Sequence, residues 1–226
     1  MSMRLRMEAD RVRDRIEHGD PYWPAQLAVG LAIVLNLALA NEITIGPRWL
    51  LPGVEGLLLI ALIVVAPARA TAHRVGERRF ALAVIGLVSA VNVALLARLV
   101  DHLINGGGGG GRSLILSGAV LWVTNVLLFA VWYWEMDRGG PVARYLNATA
   151  LVDFQFPQME DPKLAPEGWR PGFLDYLYTS FTNSTAFSPT DTMPLTHTAK
   201  IVMAIQSMTA LLTVGLVIAR AVNILG

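Results

Sequence analysis

The sequence contains no cysteine. Disulfides, thiolate zinc sites and cysteine nucleophiles are therefore excluded, while the compartment stays open. Histidine is nearly as scarce: His18, His73, His102 and His197 are scattered, with no paired spacing of the kind that holds a metal. Charge is sparse, at 15% of residues against about 25% in soluble domains. The net charge of +1 gives no electrostatic argument for nucleic acid. The N-terminus, MSMRLRMEADRVRDRIEHGD, mixes charges of both signs and shows no cleavable signal pattern. Ser188, Asp191 and His197 are close in sequence, but nothing supplies an oxyanion hole. The chain is read as a non-enzyme without cofactor or metal.

What is abundant is apolar. Of the 226 residues, 54% are hydrophobic, in runs that reach the roughly 20 residues needed to cross a bilayer. The expected fold is an all-α integral membrane protein, multi-pass in the cell membrane with the lipid bilayer as its first partner. Five spans are expected, at about 22–41, 50–66, 80–104, 113–134 and 201–225. An amphipathic N-terminal helix at 3–18 is expected either to lie on the anionic inner leaflet or to pack on the protein's own cytoplasmic side. Tyr22 and Trp23, and the cluster Trp132, Tyr133 and Trp134, read as interfacial anchors. Pro24 suits a first helical turn. The six consecutive glycines 106–111 read as a flexible hairpin, since no Lys and Ser/Thr follow at P-loop offsets. The domain organisation is then a cytoplasmic arm (1–20), a four-helix membrane domain (21–136), a polar proline-rich loop (137–171) and a C-terminal unit (172–226).

Charge placement orients the chain. Thirteen basic residues lie in the arm and in the 67–79 and 135–171 loops, against Arg48 and Arg112 in the opposite loops. The positive-inside rule puts the N-terminus in the cytoplasm, and five spans put the C-terminus outside.

Ionisable and polar groups within spans are candidates for function. Arg98 and Asp101 are three residues apart on one helix face and form an expected intramembrane charge pair, either functional or a tie to a neighbouring helix. Asn36, Asn92 and Asn125 sit near the middle of three spans, where interhelical hydrogen bonding is the simplest role. Gln206, Thr209, Thr213 and Arg220 form one polar stripe on the last span, read either as a water-facing lining or as hydrogen bonding to adjacent helices.

The stretch 172–200, GFLDYLYTSFTNSTAFSPTDTMPLTHTAK, organises the rest. Its apolar residues Phe173, Leu174, Leu177, Tyr178 and Phe181 predict a half-buried helix over 172–184, with Asp175, Thr179 and Thr182 on a more polar face. A short segment rich in Thr and Ser follows, and then a spanning helix. This order resembles the pore region of potassium channels: pore helix, selectivity filter, inner helix. Aligned without gaps, Thr185, Ala186, Phe187, Ser188, Pro189, Thr190 and Asp191 take the filter positions. Pro194 and the pair Ala199-Lys200 also fall at familiar places. The frame is similar, too, to bacterial channel-like membrane families whose segment is polar and poor in glycine. The resemblance covers about a quarter of the chain.

It implies an ion-channel-like homo-oligomer with Thr182, Ser184, Thr185 and the segment 186–191 along a path for monovalent cations. The filter itself is degenerate. Backbone carbonyls select potassium, and filter glycines reach angles that residues with a Cβ do not reach cheaply. Here Ser188 and Thr190 replace both glycines, and Pro189 fixes its own φ and restricts Ser188. Conduction without potassium selectivity is expected, against two alternatives: a non-conducting membrane scaffold or subunit, and a small-solute transporter. Thr190 and Asp191 are also read as caps of the last helix. With four spans ahead of it, the segment enters from the cytoplasmic face, the reverse of potassium channels.

Overall fold

The computed structural model describes residues 20–39, 43–44, 47, 49, 53–54, 56–57, 60, 75–105, 111–146, 151–185 and 191–225. They are mostly helical: α1 (Trp23–Asn36), α2 (Val75–Ile104), α3 (Gly111–Met136), α4 (Pro141–Leu146), α5 (Pro157–Glu160), α6 (Phe173–Thr185) and α7 (His197–Leu225). Two-residue strands β1 (Phe154–Gln155) and β2 (Met193–Pro194) pair antiparallel, so among the described residues the fold is all-α but for this ladder. Among the described residues, three helical stretches are long and apolar enough to cross a membrane: Arg78–Ile104, Arg112–Gly139 and His197–Val222.

Helices of spanning length therefore cover the last three expected spans, with earlier starts than expected for the third and fifth. The first is corrected: its helix has 14 residues, because the chain leaves helical geometry in turns over 37–39. The arm at 3–18 and most of the second span at 50–66 lie outside the described residues.

α3 is the hub and packs on α1, α2, α6 and α7. Trp132 Nε1 donates to Ser89 Oγ at 3.0 Å, and a Cβ at Gly118 would meet Leu99 at 3.7 Å, so α2 and α3 run antiparallel. The same Cβ would overlap Val217 of α7; glycine is what allows these two backbones to approach so closely. Apolar side chains form two clusters. One joins α1, the Ile85–Val88 part of α2, the C-terminal half of α3, and residues 154–176, Ala199 and Met203. The other joins Leu39 and Ile43 to Leu95, Leu96 and Leu99 of α2 and to Leu114 and Leu121 of α3.

Two expectations fail in this core. Tyr133 and Trp134 are fully buried rather than anchored at an interface, because Tyr22 and Phe173 stack edge-on against Trp134 and Phe154 leans on Tyr133 at a tilt. The 137–171 stretch is not simply a loop. Phe154 and Phe156 enter the first cluster, and Trp169 stacks on Phe156 at 6.1 Å. Its prolines sit where they can begin short helices, at Pro141, Pro157 and Pro162, as the fixed φ of proline favours.

Candidate functional site

The site is a hairpin held against α3. α6 begins at Phe173, whose ring lies 6.0 Å from that of Trp134. It ends where Trp122 Nε1 donates to the Ser184 carbonyl at 3.4 Å. The helix thus descends antiparallel to α3 to about its middle. By Thr192 the chain has returned beside Thr179, hydroxyl to hydroxyl at 3.3 Å. Leu195 N then donates to the Asp153 carbonyl at 2.8 Å. Helix and return therefore enter and leave at the same end of α3.

α6 is packed inside out relative to the expectation. Thr179, Ser180 and Ser184 are buried together with Phe173 and Tyr176, while Leu174 (74% exposed), Tyr178 (61%) and Phe181 (47%) face outward and Leu177 is half-buried. Periodicity reveals an apolar face but not the medium it meets. In a membrane the apolar face can point to lipid while hydroxyls pair between helices.

The hydroxyls of Ser180 and Ser184 converge on Gln206, which is fully buried on α7. Its Nε2 donates to Ser180 Oγ (2.6 Å), Ser184 Oγ (2.7 Å) and the Ser180 carbonyl (3.0 Å). Its Oε1 accepts from Tyr133 Oη of α3 and from Asn183 Nδ2 at 2.9 Å. Ser180 Oγ donates onward to the Val126 carbonyl at 2.7 Å. Asn183 Nδ2 reaches the Met203 carbonyl at 3.0 Å, and Asn183 Oδ1 accepts from Ser207 Oγ at 2.9 Å. One amide thereby ties α3, α6 and α7 together, its two Nε2 protons shared among three acceptors. A buried network of this kind rigidifies when satisfied.

A second cluster secures the mouth of the hairpin. Asp137, buried just past α3, accepts from Tyr176 Oη at 2.6 Å and from the Asp153 and Phe154 amides at 2.9 and 3.4 Å. Its turn holds Arg138 at φ 51° and Gly140 at φ 102°. Glycine reaches such angles freely. Arg138 is held there while its amide donates to Asp153 Oδ2 at 3.0 Å. The buried Arg144 lies over the Tyr176 ring at 5.0 Å, donates to the Trp134 and Asp137 carbonyls, and pairs with Asp20 at 3.6 Å. Asp20 also accepts from Trp134 Nε1 at 2.6 Å. Asp153 Oδ1 accepts from Thr196 Oγ1 at 2.6 Å, and Thr196 caps α7 by accepting from Ala199 N at 3.2 Å. That is the cap the sequence reading gave to Thr190 and Asp191.

Electrostatics at this mouth follow burial. Burial pushes the Asp20 carboxyl above its ordinary range, opposed by the Trp134 hydrogen bond and the Arg144 charge. Asp175 is also raised by burial, opposed by the Gly172 amide and reinforced by the Asp20 charge. Tyr176 is raised chiefly by its burial, opposed by Arg144 and reinforced by Asp137.

The candidate residues fall as follows. Thr182, Ser184 and Thr185 lie in the last turn of α6. Thr182 bonds the Tyr178 and Thr179 carbonyls and Thr185 the Thr182 carbonyl. Ala186, Phe187, Ser188, Pro189 and Thr190 lie outside the described residues. Asp191 is exposed in a bend. Of the α7 stripe, Gln206 belongs to the network, whereas Thr209 and Thr213 bond carbonyls of their own helix at 2.8 Å. Arg98 and Asp101 are both exposed, and among the described residues they form no salt bridge. Asp101 instead accepts from Asn105 Nδ2 at 2.7 Å.

Sequence reasoning missed Tyr133, Asp137, Arg144 and Asn183. Arg144 and Asp137 sat in a presumed loop, where charge carries no signal. Asn183 stood among Ser and Thr as one more polar residue. Among the described residues no group of acidic or histidine side chains is placed to hold a metal. Comparison with known protein families, curated proteins and solved structures finds no match.

Proposed function

We propose that this is a multi-pass cell-membrane protein of pore-loop type, and that its 182–191 segment borders a path for monovalent cations in a homo-oligomer without potassium selectivity. One observation carries the reading: α6 descends half of α3 and the chain returns to the same end by Thr192. A pore helix and its filter need this geometry, and few other elements do. Filter glycines are replaced by Ser188 and Thr190, so the available ligands are hydroxyls, which coordinate cations less selectively than a carbonyl stack. Asp191 supplies the fixed charge near the segment.

A non-conducting scaffold is the second reading. It is favoured by Gln206, whose amide is engaged on both sides by neighbours of its own chain and is closed to solvent.

Purified protein in liposomes, assayed for potassium and sodium flux, separates the two. The expected result is comparable flux of both ions, reduced by Asp191→Asn. Strong potassium selectivity overturns the argument from the lost glycines. No flux of either ion from folded protein transfers the reading to the scaffold.

A further inference from the structure

A polar layer separates the two apolar clusters. Along α1 and the turns after it the gap falls between Ile33 and Leu39, on α2 between Val88 and Leu95, and on α3 between Leu121 and Leu127. Each gap is filled by a polar residue: Asn36 on α1, Asn92 on α2, Thr124 and Asn125 on α3. All four are buried, Asn92 at 3% exposure, Thr124 at 0% and Asn125 at 2%. The antiparallel register of α2 and α3, with Ser89 beside Trp132 and Leu99 beside Gly118, brings Asn92 to the height of Asn125. This is near the middle of both spanning stretches. Among the described residues, Asn92 Nδ2, Thr124 Oγ1 and Asn125 Oδ1 have no hydrogen-bond partner.

We propose that this layer is a binding site for water, holding one or more internal water molecules between α2 and α3. An unmet donor or acceptor is costly in an apolar interior, and no bulk water reaches the middle of a bilayer. The unmet set is one amide N–H group, one carbonyl oxygen and one hydroxyl, with no formal charge. A cation would face the Asn92 N–H group, and an anion would face the Asn125 carbonyl with no positive partner. Water donates and accepts, and internal waters typically make about three hydrogen bonds to such groups. The proposal does not rest on the permeation reading, since among the described residues Asn92, Thr124 and Asn125 make none of the hydrogen bonds that hold the hairpin.

The test is X-ray hydroxyl-radical footprinting of the full-length protein in lipid nanodiscs, read by mass spectrometry. Radicals form where water is bound and label adjacent side chains even when these are closed to solvent. Leu95 and Leu121 flank the layer. Leu99 and Leu114 are as buried and lie farther along the same helices. Leu95 and Leu121 should be oxidised several-fold faster than Leu99 and Leu114. Thr124→Val, or Asn92→Leu combined with Asn125→Leu, should bring them down to the slower rate. Thr124→Val preserves shape and decides the matter if the double variant does not fold. Equal rates for the four leucines in the unaltered protein overturn the proposal, as does fast labelling that no variant changes. Labelling lost on addition of sodium chloride assigns the site to a cation and also overturns it.

Discussion

The hydroxyls of Thr179 and Thr192 stand 3.3 Å apart, one on the descending helix and the other on the return. That contact closes the hairpin at the level of the second turn of α6. The register of α6 against α7 is set by Gln206 below.

Gln206→Leu should destabilise the protein by about 1–3 kcal/mol, the usual cost of stranding a buried polar partner. Tyr133 Oη and the Ser180 carbonyl lose their contacts to the amide. Thr209→Val, whose hydroxyl bonds only its own helix, should stay within about 0.5 kcal/mol. Thermal melting in detergent micelles compares the two. Similar melting temperatures for both variants would show that the amide does not tie the helices.

Thr179→Glu should be severe and Leu177→Glu milder, the reverse of what apolar periodicity suggests. Thr179 is closed against Thr192 and the Asp175 carbonyl, so a carboxylate there is unpaired and costs at least ~2 kcal/mol. Leu177 is half-buried and leaves an added charge a route outward. Yield of folded protein by size-exclusion chromatography reads the difference; a folded Thr179→Glu protein contradicts the packing.

The case of α6 shows how far the sequence could be read. The order of helix, polar segment and spanning helix was plain from composition, as were the apolar runs that became α2, α3 and α7. The facing of α6 was not, because Phe173, Leu174, Leu177, Tyr178 and Phe181 suit a protein core and a lipid surface equally. The lock was half visible: Gln206 stood out as a polar residue in an apolar run, but its partners Tyr133 and Asn183 did not. The fixed mouth was invisible, since Asp137 and Arg144 acquire meaning only when the turn at Arg138–Gly140 brings the chain back over α3.

Acid should stabilise the mouth through Asp20 and Asp175. Both carboxyls are raised above 3.8 in the folded protein. Their contribution is fully present below that unfolded value and is lost as pH rises through the raised folded values. Asp175→Asn removes one of the two. Its melting temperature should lie above that of the parent near neutral pH, and the gap should close as pH falls toward 3.8. A gap that is constant with pH would show that Asp175 is not the titrating group.

The N-terminus should lie in the cytoplasm and the C-terminus outside. Arg78 reaches the Glu135 carbonyl and Asp20 bonds Trp134, so the start of α2, the end of α3 and the approach to α1 share one end of the bundle. The basic residues 138, 144 and 170 belong to that same end. With cysteines introduced singly at Ser2 and Gly226, an impermeant thiol reagent on intact cells should label Gly226→Cys alone. Labelling of Ser2→Cys alone reverses the topology.

The Gln206 lock also dictates an order of assembly. During synthesis the hydroxyl-bearing face of α6 emerges before α7 exists. Ser180 can find the Val126 carbonyl at once, but Ser184 and Asn183 wait for Gln206 and Ser207. Until α7 arrives, α6 is a hydrophobic-faced segment with its polar side only partly met, by Val126 and Tyr133 of α3, and it is too short and too polar to remain across a bilayer alone. The hairpin is therefore completed from behind, by α7, and a chain stopped short of Gln206 should keep α6 against α3 through Ser180 and Tyr176 while its Asn183 Oδ1 stays unmet.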